Sequence, residues 1–218
     1  MATTIEAAPH SLADLHARLG GIPLERIRMT PPPGTATEDD LERAGKPICE
    51  LIDGVLVEKP MGARESLLGT YLATLISNHV HANDLGVVLG EAGFIRLNVN
   101  QVRAPDATFI PWSEFPNDEI PEDEAFWSVA PVLIVEVLSP SNTEAEMNRK
   151  LTELFAAGCK LAWVIDPPTE TAKVYTSAKK FKELDATGTL DGGKVLPGFT
   201  LALADLFAAT KRKKKKPR

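Results

Sequence analysis

Residues 131–155, PVLIVEVLSPSNTEAEMNRKLTELF, decide the predicted fold because they combine a strand, a turn and a helix around one acidic side chain. The apolar run 132–138 is typical of a strand buried on both faces, yet it contains Glu136. A lone buried carboxylate costs several kcal/mol unless it is paired, protonated or bound to a metal ion. A metal site is the simplest explanation, and it needs a second acid from elsewhere in the chain.

Asp106 is the candidate for that second acid. It begins another short apolar run, in the sequence RAPDATFI at residues 103–110. If the two strands are neighbours, the carboxylates of Asp106 and Glu136 can meet at one end of the sheet. Such oxygen ligands suit Mg²⁺, which is commonly held by one or two carboxylates together with water and substrate phosphate. Because such an ion activates water and stabilises a phosphoryl oxygen, the pattern favours phosphodiester hydrolysis.

The helix predicted after the Glu136 strand carries Lys150. Thr143 and Glu146 have the spacing of a capping box at its start, and an apolar stripe follows. At about 100° per residue, Lys150 borders that stripe instead of opposing it. Its ammonium could therefore reach the carboxylates and orient water or neutralise charge, or it could extend along the helix edge to solvent.

The rest of the chain predicts a mixed α/β domain with helices on the faces of its sheet. Asp53-Gly54 between two apolar runs is typical of a β-hairpin. Apolar residues at helical spacing predict a helix over 64–81, which Gly86 closes. The acidic, proline-containing stretch 112–130 predicts a loop or lid. A short helix is predicted at 11–19, and further strands at 87–97, 102–110, 160–165 and 172–176, the first of them interrupted at residues 90–93 by a bulge or a tight reversal.

Length and composition fit one globular domain in a reduced compartment. The 218 residues are close to a prior of roughly 100–200 residues per domain, and two cysteines are too few for a disulfide framework or a zinc cluster. With no signal-peptide pattern and no apolar run of about 20 residues, we expect a cytoplasmic protein with no membrane partner. The expected organisation is an N-terminal arm at 1–47, one domain at 48–210 and a basic disordered tail at 211–218.

Charge is distributed unevenly along the chain. The net charge is −6, but the last eight residues, KRKKKKPR, hold seven of the 24 basic residues and no acid. The body is therefore strongly acidic, and the composition does not indicate a uniformly basic nucleic-acid face. The tail is typical of a solvated end. Alternatively, Lys211, Arg212 and Lys213 would hold DNA phosphates without sequence specificity.

Pro105-Asp106 followed by an apolar strand with Glu136 resembles the PD-(D/E)XK nuclease superfamily. Further short motifs are similar to its branch of Uma-type proposed restriction endonucleases. Each motif is weak alone, and their order carries the resemblance, which spans roughly residues 50–207. The motifs are ELIDG at 50–54, EVLSPS at 136–141, Lys150, AG at 157–158, WVIDP at 163–167 and LPGF at 196–199.

The resemblance implies a restriction-endonuclease-like fold: a mixed β-sheet core of order αβββαβ flanked by helices, with an N-terminal hairpin and a C-terminal β extension. It also implies cleavage of DNA that depends on Mg²⁺, with Mn²⁺ as a substitute. Asp106 and Glu136 would be the metal ligands, and Lys150 would be the third catalytic residue.

Two departures from the superfamily pattern bear on the site. The lysine expected two residues after the acid is replaced by Leu138, so the resemblance passes its role to a residue of the following helix. Many members carry a histidine where this chain has Glu65. Whether Glu50, Glu65 or Glu91 supplies a further metal ligand stays open.

Other readings compete with the catalytic one. The absent motif lysine favours a catalytically silent nuclease-fold module that binds nucleic acid or a protein partner. An active enzyme that cuts both strands of a duplex would favour a homodimer. Purely structural roles are a pairing of Glu136 with Arg103 or Lys150, a turn acid at Asp106, a bulge residue at Glu91 and an exposed strand acid at Glu50.

Overall fold

The computed structural model describes residues 11–60 and 62–211 of the chain. The helices of this part are α1 (Leu12–Arg18), α2 (Glu38–Arg43), α3 (Ala63–Ala82), α4 (Glu144–Ala156) and α5 (Leu203–Ala209). The strands are β1 (Cys49–Ile52), β2 (Val55–Glu58), β3 (Gly86–Gly90), β4 (Ile95–Asn98), β5 (Gln101–Arg103), β6 (Ala107–Pro111), β7 (Leu133–Val137), β8 (Leu161–Asp166), β9 (Thr171–Ser177), β10 (Lys180–Leu184), β11 (Thr189–Asp191) and β12 (Thr200–Ala202).

Six strands form the main sheet in the order β10-β9-β8-β7-β6-β3. β7 and β8 run parallel, whereas the other neighbouring pairs are antiparallel. A parallel pair needs a crossover connection, and α4 supplies it. Along the chain, α3, β3, β6, β7, α4 and β8 give the order αβββαβ, so the predicted core is confirmed.

One long helix packs on each face of the main sheet because strand side chains alternate between the two faces. Val135 of β7 belongs to the apolar cluster that includes Leu72 of α3. Ile134 belongs to the cluster that includes Leu151 of α4. Glu136 has the same parity as Ile134 and therefore lies on the α4 face. The buried strand thus presents its acid to the helix that follows it in the chain.

Four strands form a smaller sheet in the order β2-β1-β5-β4. The predicted hairpin is confirmed, since β1 and β2 pair antiparallel. Asp53 and Gly54 in its turn have φ values of 51° and 72°, as a tight primed turn requires. The predicted helix α1 also forms, and its Leu15 packs with Val55 of the hairpin. The N-terminal segment therefore contacts the hairpin that contributes Glu50.

Two predicted strands are each divided between the two sheets. Residues 87–97 form β3 and β4, and the Gly93 N–H closes the turn between them by donating to the Gly90 carbonyl at 2.8 Å. Residues 102–110 form β5 and β6, with Pro105 between them. The ladder cannot continue through Pro105 because proline has no N–H. Asp106 consequently lies where the chain passes from the small sheet to the main sheet.

The C-terminal part holds strands and a helix that local sequence patterns did not locate, although the resemblance implied a C-terminal β extension. The edge strand β10 reads Lys-Phe-Lys-Glu-Leu, and its charges, which are typical of edge strands, conceal the alternation. β11 and β12 form a small antiparallel sheet, and α5 contributes Phe207 to the core. Residues 112–130 form the predicted loop, with single 3-10 turns at Trp112–Glu114 and Pro116–Asp118. Within 11–60 and 62–211, no helix has the length and apolar character needed to cross a membrane.

Candidate active site

Asp106 and Glu136 lie at the same end of the main sheet. Because β6 and β7 are antiparallel, the residue before β6 faces the end of β7. The Asp106 N–H donates to the Val135 carbonyl at 3.0 Å, and the Val137 N–H donates to Asp106 Oδ2 at 2.7 Å. The side chains of Asp106 and Glu136 line one cavity. The two predicted strands are therefore neighbours, as the sequence argument required.

Lys150 reaches the same cavity from α4. It is 5% exposed, and its Nζ lies 2.6 Å from Glu136 Oε1 and 2.9 Å from Glu50 Oε1. The contact with Glu136 is an ion pair outside hydrogen-bond geometry. Burial alone lowers the pKa of Lys150, but Glu136 and Glu50 outweigh burial and raise this pKa above its ordinary value. The reading in which Lys150 extends to solvent is wrong.

Glu50 is fully engaged by its neighbours. Its Oε1 accepts from the Ala104 N–H at 2.9 Å in addition to contacting Lys150, and its Oε2 accepts from Arg103 Nη1 at 2.9 Å. Burial raises the pKa of Glu50, but Lys150 and Arg103 outweigh it and hold the pKa well below its usual range. The reading of Glu50 as an exposed strand acid is wrong. Both oxygens are occupied, which suits positioning of Lys150 better than metal binding.

An ion-pair chain continues from Glu50 to the hairpin turn. Arg103 is 1% exposed and binds Glu153 as well as Glu50. Arg149 links Glu153 to Asp53, 2.8 Å away in the turn between β1 and β2. Arg103 is therefore not the partner of Glu136 that one reading of the sequence considered. These ion pairs connect α4, which carries Lys150, to the two strands of the small sheet that border the cavity.

Lys59 is a site residue that sequence reasoning missed. It follows β2 and is 8% exposed. Its Nζ donates to the Ala104 carbonyl at 2.7 Å, to Asp106 Oδ1 at 3.1 Å and to the Glu91 carbonyl at 3.3 Å. Each of the two central acids therefore has its own lysine. No local pattern marked Lys59, because its burial depends on how the small sheet packs against the main sheet.

Glu65 and Glu91 also line the cavity. Glu65 lies in the first turn of α3, and a Cβ placed on Gly62 would fall 1.8 Å from Glu65 Oε2. The carboxylate therefore lies against Gly62 at the start of the helix and would have to move if this residue had a side chain. Glu91 contacts the site through its carbonyl, which accepts from Lys59. Both acids are half-buried, and neither has a described contact with Asp106 or Glu136.

A second buried ion pair borders the cavity and was not predicted. Arg26 binds Glu146 of α4 through both terminal nitrogens, at 3.0 and 2.6 Å, and donates to the Ser141 carbonyl at 3.3 Å. Glu146 also completes the predicted capping box with Thr143. Arg26 therefore holds the turn between β7 and α4 in place from the N-terminal segment.

Lys211 is the one residue of the predicted basic tail that the structure describes. Lys211 pairs with Glu170 at 2.5 Å on the surface. Arg212 and Lys213, the other two residues predicted to hold DNA phosphates, lie outside the described residues. A role of the tail in DNA binding stays a prediction.

The donor set of the cavity fits a magnesium ion with few protein ligands. Within residues 11–60 and 62–211, no group of three or more His, Cys, Asp or Glu side chains is arranged to hold a metal ion. Asp106 and Glu136 remain as a pair of oxygen donors, which Mg²⁺ accepts when water and substrate phosphate complete its shell. Burial, with the nearby charge of Asp106, raises the pKa of Glu136 to about 7 despite Lys150. A cation bound between the two acids would favour the charged form.

Glu136→Gln is expected to change how the stability of the metal-free protein depends on pH. The pKa of Glu136 is about 7 in the folded chain against an ordinary value of 4.5, so the folded state binds more protons between these values. Its contribution to stability is therefore fully present below pH 4.5 and is lost as pH rises through 7. Urea denaturation with EDTA measures the free energy of unfolding of Glu136→Gln and of the wild type. The difference, variant minus wild type, should be roughly 1–3 kcal/mol larger at about pH 8 than at about pH 5. An equal difference at both pH values would contradict this assignment.

The αβββαβ core with two acids and a lysine at one end of its sheet defines a restriction-endonuclease-like protein. A sequence model of the Uma2 family, described as "Putative restriction endonuclease", matches residues 37–204. This match covers well over half of the chain, so the chain belongs to that family.

A solved structure shares the fold. The crystal structure of "a putative nuclease belonging to DUF820" from Anabaena variabilis ATCC 29413 aligns with a TM-score of 0.69 and 22% sequence identity. The alignment covers 80% of this chain and 99% of that chain. At this identity the likeness shows the fold alone, and that fold agrees with the predicted restriction-endonuclease-like core. No match is found among curated proteins.

Proposed function

We propose that the protein is an Mg²⁺-dependent endonuclease that hydrolyses phosphodiester bonds in DNA. The single observation that carries the proposal is the convergence of Asp106, Glu136 and Lys150 on one cavity at the end of the main sheet. Two acids and a lysine supply oxygen ligands for a divalent ion and a fixed positive charge for a phosphate. Family membership supports a nucleic acid as the substrate.

Asp106 and Glu136 would hold the ion, with Mn²⁺ as a substitute. When bound, the ion would lower the pKa of a water molecule and stabilise charge on a phosphoryl oxygen. The Val137 N–H holds Asp106 Oδ2, so this carboxylate is oriented before any ligand arrives. Lys59 donates to the other oxygen, Oδ1, and places a positive charge beside this carboxylate.

Lys150 would act as a hydrogen-bond donor to the attacking water or to a phosphoryl oxygen. Glu50 fixes its ammonium at the cavity wall, and Arg103 fixes Glu50 in turn. A positioned positive charge in a water-poor site stabilises developing negative charge without reorganisation. The role of the absent motif lysine at Leu138 would therefore be performed from α4.

A supercoiled-plasmid assay tests the proposal. The wild type should convert supercoiled DNA to nicked or linear forms with Mg²⁺ or Mn²⁺, EDTA should stop the conversion, and excess Mg²⁺ should restore it. Linear DNA without a nicked intermediate would indicate coordinated cutting by a dimer. Cleavage that EDTA does not affect, or no cleavage with either metal, would contradict the proposal.

One observation favours the catalytically silent module as a second candidate. Lys59 and Lys150 already pair with Asp106 and Glu136, so each of these two acids has a cation beside it without a metal ion. Such a module should bind DNA or a protein partner equally well with Mg²⁺ and with EDTA, and should cleave no form of DNA. The plasmid assay separates this candidate from the enzyme.

A further inference from the structure

A groove opens beside the catalytic cavity on the α4 face of the main sheet, and the proposed reaction gives it no role. α4 forms one side of it, and the hairpin of β9 and β10 forms the other. It shares Asn142 and Met147 with the cavity that contains Glu136. We call it the α4–β10 groove, and its floor and far side include Val164, Lys173, Tyr175 and Phe181.

Strand register connects this groove to the site. Glu136 pairs with Val164, and Val164 pairs with Lys173, so the three residues form one row across the sheet. Neighbouring strands are about 4.8 Å apart, which puts the backbone of Lys173 about 10 Å from that of Glu136. Glu136 is buried, whereas Lys173 is partly exposed. Val164 itself is buried under α4, so the cavity and the groove adjoin at Asn142 and Met147, which line both.

An exposed aromatic ring lies at the open side of the groove. Phe181 pairs with Tyr175 across β9 and β10, and their ring centroids are 4.9 Å apart with a tilt of 38°. Phe181 is 46% exposed on an edge strand, where an exposed apolar side chain invites unwanted association. Lys173 Nζ lies 5.0 Å from the centroid of the Phe181 ring. A ring with an ammonium beside it can stack a base and attract its phosphate.

Charge and size favour a single nucleic-acid strand as the occupant. Lys173 and Lys179 line the groove against one acid, Glu144. Glu183, the cross-strand partner of Lys173, does not line it. This local positive charge stands out in an acidic chain. The groove volume of about 560 Å³ lies in the range of small-ligand sites, so it holds a ligand of nucleotide size and not a duplex.

We propose that the α4–β10 groove binds an unpaired nucleic-acid strand next to the scissile phosphate, with a base stacked on Phe181 and phosphates held by Lys173 and Lys179. The inference rests on the proposed nuclease function and adds the form of its substrate. The substrate is single-stranded on at least one side of the cleavage position.

Fluorescence anisotropy with fluorescein-labelled oligothymidylate of about 12 nucleotides tests the groove, using the full chain in EDTA. Phe181→Ala should weaken binding about 5- to 100-fold, because stacking on an aromatic side chain contributes strongly for each base. Lys173→Gln should weaken binding and reduce its dependence on salt. Lys182→Gln is the matched control for Lys173→Gln because it also removes one positive charge. Lys182 follows Phe181 in β10, so its side chain lies on the opposite face of the strand from Phe181 and the groove.

Three results would overturn the assignment. The first is that Phe181→Ala binds the oligonucleotide as tightly as the wild type does. The second is that Lys173→Gln and Lys182→Gln lose equal amounts of affinity. The third is that Phe181→Ala loses as much affinity for a duplex of the same length as it loses for the single strand. If Phe181→Ala weakens binding of oligouridylate as well as of oligothymidylate, the groove accepts both RNA and DNA strands, which supports the assignment. Because EDTA suppresses cleavage, the binding result is independent of the plasmid assay. Failure of the groove and failure of the nuclease activity are therefore distinguishable.

Discussion

Asp106→Asn is expected to lower Mg²⁺-dependent plasmid cleavage by at least about 10³-fold, because a metal ligand carries several kcal/mol of transition-state stabilisation. The substitution keeps the shape of the side chain. Its amide oxygen can still accept from the Val137 N–H, and Lys59 keeps its bond to the Ala104 carbonyl. The amide nitrogen would face Lys59, which loses its carboxylate partner, so urea denaturation of the variant separates lost stability from the missing charge at the metal site.

The matched control for this variant is Asp39→Asn. Asp39 lies on α2, is exposed and pairs only with Arg43 on the same helix among the described residues. This variant should cleave like the wild type. Cleavage by Asp106→Asn at a rate close to that of Asp39→Asn would contradict the role of Asp106 in metal binding.

Lys150→Met is expected to destabilise the fold by about 3–5 kcal/mol, because it leaves two buried carboxylates without their shared cation. Glu136 and Glu50 are 5% exposed each, so water cannot replace the lost charge. Urea denaturation at about pH 9, where Glu136 with its pKa of about 7 is charged in the wild type, measures the effect. Lys160→Met is the control, since this exposed lysine should change stability by no more than about 0.5 kcal/mol.

A double-mutant cycle assigns the effect to the ion pair. In the Glu136→Gln background, Lys150→Met should cost clearly less than in the wild type, because only Glu50, which Arg103 still binds, then loses a cation. Equal costs in the two backgrounds, or a Lys150→Met variant as stable as Lys160→Met, would show that the ion pair does not act as described.

The parts of the site that follow from local patterns could be predicted from the sequence. Glu136 was identifiable as one acid within an apolar strand, and Lys150 as the border residue of an amphipathic helix. Asp106 needed one further assumption, that two strands are neighbours. β6 and β7 satisfy it. Periodicity predicted a mixed α/β sheet with helices on its faces, and the αβββαβ order came from the resemblance to the nuclease superfamily.

The parts that depend on packing between the two sheets could not be predicted. Lys59 and Glu50 come from the small sheet, and each becomes a site residue only because β5 leads through Pro105 into β6. Arg26 reaches Glu146 across 120 residues of sequence. A hairpin acid or a lysine after a strand has no distinguishing pattern, so only the tertiary structure shows that it is buried and paired.

A crystal structure of the wild-type protein with Mn²⁺ would show whether Asp106 and Glu136 hold a metal ion. We expect an anomalous peak bonded to an oxygen of Asp106 and an oxygen of Glu136, with Lys150 still on Glu50 and Lys59 displaced from Asp106. A protein saturated with Mn²⁺ that shows no peak between these two acids, or binds the ion elsewhere while Lys59 stays on Asp106, would contradict this expectation.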